Sequence, residues 1–151
     1  MPVNQSNRLI LHVDDDPAML RLMEHLLTQK GYTFEGLTDP RAALDRLQTS
    51  DTSVVLLDVN MPHVSGVDLL REVKSYGGYL PVIMLTGIVN QFTLTDAINA
   101  GAEYCLFKPI VQPEKLYEVL ELTFRKIHLW RESMIELRER RASCKFNPQS
   151  T

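Results

Sequence analysis

Long apolar runs are missing from this chain of 151 residues. No stretch approaches the ~20 consecutive apolar positions needed to cross a bilayer. The polar start, Met1-Pro2-Val3-Asn4-Gln5-Ser6-Asn7-Arg8, also lacks the apolar centre of a signal peptide. A cytoplasmic protein with no membrane partner is therefore expected. Cysteine is scarce too: Cys105 and Cys144 are far apart and without metal-ligand spacing, which favours reduced thiols over a disulfide or a zinc site. Internal repeats and low-complexity segments are absent, and no Gly or Pro interrupts residues 114–147.

The small net charge of -3 conceals an asymmetry, because residues 1–123 carry 9 Lys/Arg against 16 Asp/Glu whereas residues 124–151 carry 7 against 3. A basic tail can signal nucleic acid. Here Glu132, Glu136 and Glu139 alternate with the arginines, a pattern that suits a solvated helix face, so no nucleic-acid binding is expected.

An ordinary apolar content of 44% is enough for one domain with a real core. Strand-like runs at Leu9–Val13, Thr33–Leu37, Val54–Leu57, Val82–Leu85 and Tyr104–Phe107 alternate with helical patterns at Pro17–Lys30, Pro40–Gln48, Gly66–Ser75 and Thr93–Ala100. That alternation predicts a parallel five-stranded sheet with helices on both faces. Pro113 begins a last helix predicted to reach about Arg141, its first half packing on the sheet. Leu116, Leu120, Thr123, Ile127, Trp130, Met134 and Leu137 recur at steps of four and three, the spacing of a coiled-coil seam. The expected organisation is a disordered N-terminus over 1–7, a domain over 8–123, and a helical extension and tail over 124–151. The part from 124 to 141 is free to form a homodimer, or to fold back.

Two of the apolar runs end in acids: β-like Leu9–Val13 leads into Asp14-Asp15-Asp16, and Val54–Leu57 into Asp58. Side chains at the carboxyl ends of parallel strands line the usual site of an open α/β fold. Carboxylates held within ~4 Å repel by roughly 4 kcal/mol at an effective dielectric near 20, so the cluster calls for raised pKa values or a hard cation such as Mg²⁺. Thr86-Gly87 ends the fourth run and Lys108-Pro109 the fifth. An acid pair for a metal, an aspartate, a hydroxyl and a lysine at one sheet edge are the parts needed for phosphoryl transfer to a carboxylate.

The strand-end acid pair, Asp58-Val59-Asn60-Met61-Pro62 running on to Gly66, the strand-end Thr86 and Lys108-Pro109 together resemble a two-component response-regulator receiver domain, over about Arg8 to Phe124. The resemblance implies a flavodoxin-like, doubly wound sheet of order 2-1-3-4-5, with the long C-terminal helix added. It implies that Asp58 accepts a phosphoryl group from a histidine kinase or phosphotransfer protein. Asp15, Asp58 and the Asn60 carbonyl would bind Mg²⁺ directly and Asp14 through water. Thr86 and Lys108 would grip the phosphoryl oxygens, and Lys108-Pro109 would be a cis peptide. Asp16 is expected to face solvent.

This chain departs from the family at the signalling positions. Cys105 stands where receivers often carry Tyr or Phe, with the aromatic next door at Tyr104. Adjacent strand residues face opposite sides, so Tyr104 does not replace the missing ring. Ile88, two residues past Thr86, occupies a position that tends to influence how water reaches the acyl phosphate. The competing readings are a Mg²⁺-dependent haloacid-dehalogenase-like phosphatase, a flavin-binding flavodoxin-like protein, and an interaction module that is never phosphorylated. Ala18 spoils the phosphatase signature at Asp14-x-Asp16, and three acids would repel a flavin phosphate. The expected role is a signalling switch and not an enzyme, acting on a downstream protein target or on an output domain beyond this chain.

Overall fold

The computed structural model describes residues 8–87 and 90–144. Ile88 and the expectations for residues 1–7 and for the end of the tail lie outside the described residues. Five strands, β1 (Leu9–Val13), β2 (Thr33–Leu37), β3 (Val54–Asp58), β4 (Val82–Thr86) and β5 (Tyr104–Phe107), form one parallel sheet in the order β2-β1-β3-β4-β5. The helices are α1 (Pro17–Thr28), α2 (Ala43–Thr49), α3 (Gly66–Tyr76), α4 (Gln91–Asn99) and α5 (Pro113–Cys144). The expected sheet order and long last helix are both present.

Alternation along the strands divides the core. Leu11 and Val13 of β1, Val55 and Leu57 of β3, and Val82 and Met84 of β4 join Ala43, Leu47, Leu70, Val73 and Ala97 in one buried cluster, so α2, α3 and α4 cover this face. Ile10, His12, Leu56, Ile83 and Leu85 point to the other face and are also fully buried. Burial on both sides explains why the central strands read as continuous apolar runs. His12 is the exception, an imidazole where the pattern calls for a hydrocarbon.

The termini of the elements differ slightly from expectation, each for a local reason. α1 stops at Thr28, whose hydroxyl donates to Glu24 O at 2.6 Å. The chain then closes through Gly31, which has φ +82°. Gly31 N–H bonds Thr28 O and Tyr32 N–H bonds Leu27 O, the pairing of a glycine-terminated helix. A 3-10 turn, Pro40–Ala42, precedes α2, with Asp39 Oδ1 accepting Arg41 N–H at 2.9 Å. α4 begins at Gln91 instead of Thr93 because Asn90 Oδ1 accepts Phe92 N–H at 2.9 Å, a capping bond.

The chain divides into two compact units between Pro113 and Glu114. The second unit is α5, 32 residues and thus ~48 Å long at 1.5 Å per residue. Leu116, Val119, Leu120 and Thr123 are its buried residues. Ile127 is half-buried, and Trp130, Met134 and Leu137 continue the same stripe exposed, Trp130 by 66%.

Candidate functional site

Parallel strands end on one edge, and that alone gathers the polar residues named above. Asp14 and Asp15 follow β1, Asp58 closes β3, Thr86 closes β4 and Lys108 follows β5. Carboxylate oxygens of Asp14, Asp15 and Asp58 all lie within 4.8 Å of one another. Lys108 Nζ reaches between the two buried acids, 2.8 Å from Asp14 Oδ2 and 3.2 Å from Asp58 Oδ1. Asp14 Oδ1 accepts the Asp16 N–H at 2.9 Å, and Asp58 Oδ1 accepts the Asn60 N–H at 3.3 Å. Thr86 is buried beside them, and its carbonyl accepts the Lys108 N–H at 2.8 Å.

Three consecutive aspartates thus have three different environments. Asp14 is 0% exposed, its backbone N–H bonded to Leu37 O of β2, whereas Asp15 faces solvent at the rim. Asp16 is exposed as expected and caps α1, Oδ1 accepting Ala18 N–H at 2.9 Å. The capping role of Asp16 was legible as an acid just before Pro17 at the first helical turn.

The acids titrate in opposite directions. Burial pushes Asp14 up, but the neighbouring His12 ring, the Lys108 ammonium and the Asp16 N–H outweigh it and hold the carboxyl down to about 2. Asp58 is raised, by burial first and by the Asp14 charge, with Lys108 only partly countering. Burial would strip the proton from Lys108, yet hydrogen bonding to Asp14 and the charges of Asp58 and Asp14 keep its pKa raised. One ammonium against three carboxylates leaves excess negative charge in a set of hard oxygen donors, which fits Mg²⁺ better than a soft transition metal.

The loop after β3 is shaped by a close approach. A Cβ built on Gly66 would stand 2.1 Å from the Asp58 carbonyl oxygen and 2.7 Å from Val59 Cα. Only glycine lets α3 begin against the backbone of the acid-bearing residue. Gly66 N–H bonds Val59 O at 2.9 Å, Asn60 and Ser65 form an isolated bridge, and His63 takes φ +69° at the turn.

The remaining expected positions among the described residues are also located. The Lys108-Pro109 peptide is cis. Cys105 is half-buried against the cluster on the α3 and α4 side, and burial raises its thiol pKa. Tyr104 is exposed, opposite Ile83 in register, and so on the other face of β5 from Cys105. Sequence reasoning missed His12, whose only signal was a titratable residue in an otherwise apolar strand. Its ring is 0% exposed, with Nε2 3.6 Å from Asp14 Oδ2 and Phe34 edge-on at 6.1 Å between centroids.

The family described as the response regulator receiver domain matches residues 10–121. Response regulator MprA of Mycolicibacterium vanbaalenii is 34% identical over 116 residues, 77% of this chain and 50% of MprA, so the chain spans about half the length of that curated relative. A solved CheY-like response regulator receiver domain protein from Methanospirillum hungatei has a TM-score of 0.72 at 29% identity, covering 80% of this chain and 99% of that one. The beryllofluoride-activated NtrC4 receiver domain dimer gives a TM-score of 0.74 at 27% identity, with 79% and 98% covered.

Proposed function

Because the chain belongs to the response regulator receiver domain family, a family of signalling domains, we propose that Asp58 accepts a phosphoryl group from a histidine kinase or histidine phosphotransfer protein, with residues 8–123 as the receiver. Family membership sets aside the phosphatase and flavodoxin readings. The observation that carries the proposal is the Lys108 ammonium held at 2.8 Å from Asp14 and 3.2 Å from Asp58, a cation already placed at the edge of the accepting carboxylate.

In the proposed reaction an Asp58 oxygen attacks the phosphorus of a phosphohistidine. The P–O bond forms as the P–N bond breaks, and the bonding pair returns to the imidazole nitrogen. Water later cleaves the acyl phosphate, releasing inorganic phosphate and restoring the carboxylate. Asp15, Asp58 and the Asn60 carbonyl would hold Mg²⁺ directly and Asp14 through water. When bound, Mg²⁺ supplies positive charge that offsets the carboxylate and phosphoryl oxygens. Lys108 turns its ammonium to one phosphoryl oxygen, and the Thr86 hydroxyl donates to another. Cys105 offers no aromatic ring to follow Thr86, so the signal travels through the loop after Thr86 and α4, with Tyr104 and Ile88 as part of the signalling surface.

The test is intact-mass analysis after acetyl phosphate. Labelling is expected only with Mg²⁺ present and is expected to vanish in Asp58→Asn. Undiminished Mg²⁺-dependent labelling of that variant would overturn the assignment of Asp58, and no labelling of the wild type would leave an interaction module that keeps the fold without the chemistry.

The exposed stripe on α5 supports self-association as a second part of this role. The NtrC4 receiver similar to this chain is a dimer when beryllofluoride-activated. Here the pairing segment would be 124–141.

A further inference from the structure

His12 has no part in the phosphoacceptor scheme, yet its environment is costly to maintain. The ring is 0% exposed, and neither Nδ1 nor Nε2 has a hydrogen-bond partner. Leaving a buried polar atom unsatisfied is destabilising, and a hydrocarbon of similar size on β1 would avoid it. An imidazole, neutral or protonated, carries at least one N–H that it can donate.

The direction of the ring matters most. Nε2 lies 3.6 Å from Asp14 Oδ2, the same oxygen that accepts Lys108 Nζ at 2.8 Å. Asp14 Oδ1 is already engaged by the Asp16 N–H. If Lys108 moves to a phosphoryl oxygen, Asp14 Oδ2 loses its ammonium on a side chain that is fully buried. His12 Nε2 is a side-chain nitrogen that faces this oxygen from within the core.

We propose that His12 is a positioning residue for Asp14, its Nε2–H closing on Oδ2 when Lys108 leaves, so that the carboxylate stays turned toward the cation site. The inference rests on the phosphoacceptor reading for the movement of Lys108, but the tautomer it requires, Nε2–H, can be read in the resting protein. A donor behind a metal-binding carboxylate fixes its orientation, and loss of such a donor commonly weakens metal affinity by about 10- to 100-fold. Phe34, edge-on to the ring, limits the orientations the imidazole can take.

Two measurements test this. Long-range ¹H–¹⁵N spectra of wild-type protein report the His12 tautomer; the Nε2–H form is expected in the resting state, with its proton shifted downfield after Mg²⁺ and beryllofluoride. An Nδ1–H form would overturn the proposal whatever any variant does. Calorimetric Mg²⁺ titrations of wild type, His12→Leu and His12→Gln, with and without beryllofluoride, form the second arm. His12→Leu is expected to bind Mg²⁺ about 10-fold more weakly in the beryllofluoride state, while His12→Gln, which restores a donor near Nε2, recovers to within about 3-fold. Leu and wild type binding within about 2-fold of each other would sink the positioning role. Failure of wild-type protein to take up beryllofluoride would count against the phosphoacceptor reading instead, leaving the tautomer and the resting Mg²⁺ titration to decide His12.

Discussion

Asp14 and Asp58 share one ammonium but are pushed in opposite directions, and their effects on stability differ in sign. Asp14, held at about 2 against an ordinary 3.8, stabilises the fold fully above the ordinary value. That contribution, about 2 kcal/mol, is lost as pH falls through the window down to about 2. Asp58 is raised, so its ionised form costs stability at neutral pH, and the cost disappears as pH falls and the group protonates. Asp58→Asn should therefore melt a few degrees above wild type in Mg²⁺-free buffer at pH 7, with the gap narrowing when Mg²⁺ is added to both; calorimetric scans check this. Lys108→Met removes the cation from both acids. Its acid transition, followed by circular dichroism, should move to higher pH as Asp14 climbs from about 2, and its chemical shifts should still respond to Mg²⁺ while losing the distant response to beryllofluoride.

Elements place these residues through their ends. The loop from Asp58 to α3 depends on Gly66, because an added Cβ meets backbone atoms at 2.1 Å and 2.7 Å, and neither is the tip of a flexible side chain. Gly66→Ala should cost about 2–3 kcal/mol in urea unfolding and should displace the Asp58 carbonyl enough to abolish beryllofluoride uptake. On β5, Cys105 packs with the cluster that contains Met84 and Ala97. Cys105→Tyr is expected to bring no gain in phosphorylation-dependent chemical-shift change if, as proposed, signalling runs through the loop after Thr86 and α4. A marked gain would show that an aromatic switch was wanted at that position. Strands and helices were legible from apolar periodicity to within about three residues, and the differences at Thr28, Pro40 and Gln91 go with local bonds at the element ends that hydrophobicity does not register.

At the scale of the whole molecule, α5 carries more apolar surface than a solvated helix needs. Trp130, Met134 and Leu137 are exposed on the stripe that begins with buried Leu116 and Leu120. Burying each large apolar side chain is worth roughly 1.5–3 kcal/mol, enough for weak self-association after the entropic cost of pairing but not for a tight dimer over so few heptads. Sedimentation should show concentration-dependent association of the full chain at high micromolar concentration, lost in Met134→Glu combined with Leu137→Glu. Fluorescence of Trp130, the only tryptophan, should report the same transition and stay indifferent to Mg²⁺. A wild type that stays monomeric with and without beryllofluoride would remove self-association from the proposed role.

The sequence by itself determined the five strands, their parallel order through a family resemblance, and the five residue types that meet at one edge, because apolar runs of four or five residues must be buried and parallel strands must end together. Local pattern could not decide which of three adjacent aspartates is sealed from water. Asp14 is buried because its N–H pairs with Leu37 of β2, a contact between residues far apart in the chain, and its side chain follows the pleat inward on the face it shares with His12. The same holds for Lys108, whose ammonium spans 94 residues of sequence to reach Asp14. Chain chemistry supplied the acids and the lysine; only packing set the distances that make one acid strong, the other weak, and a buried histidine their neighbour.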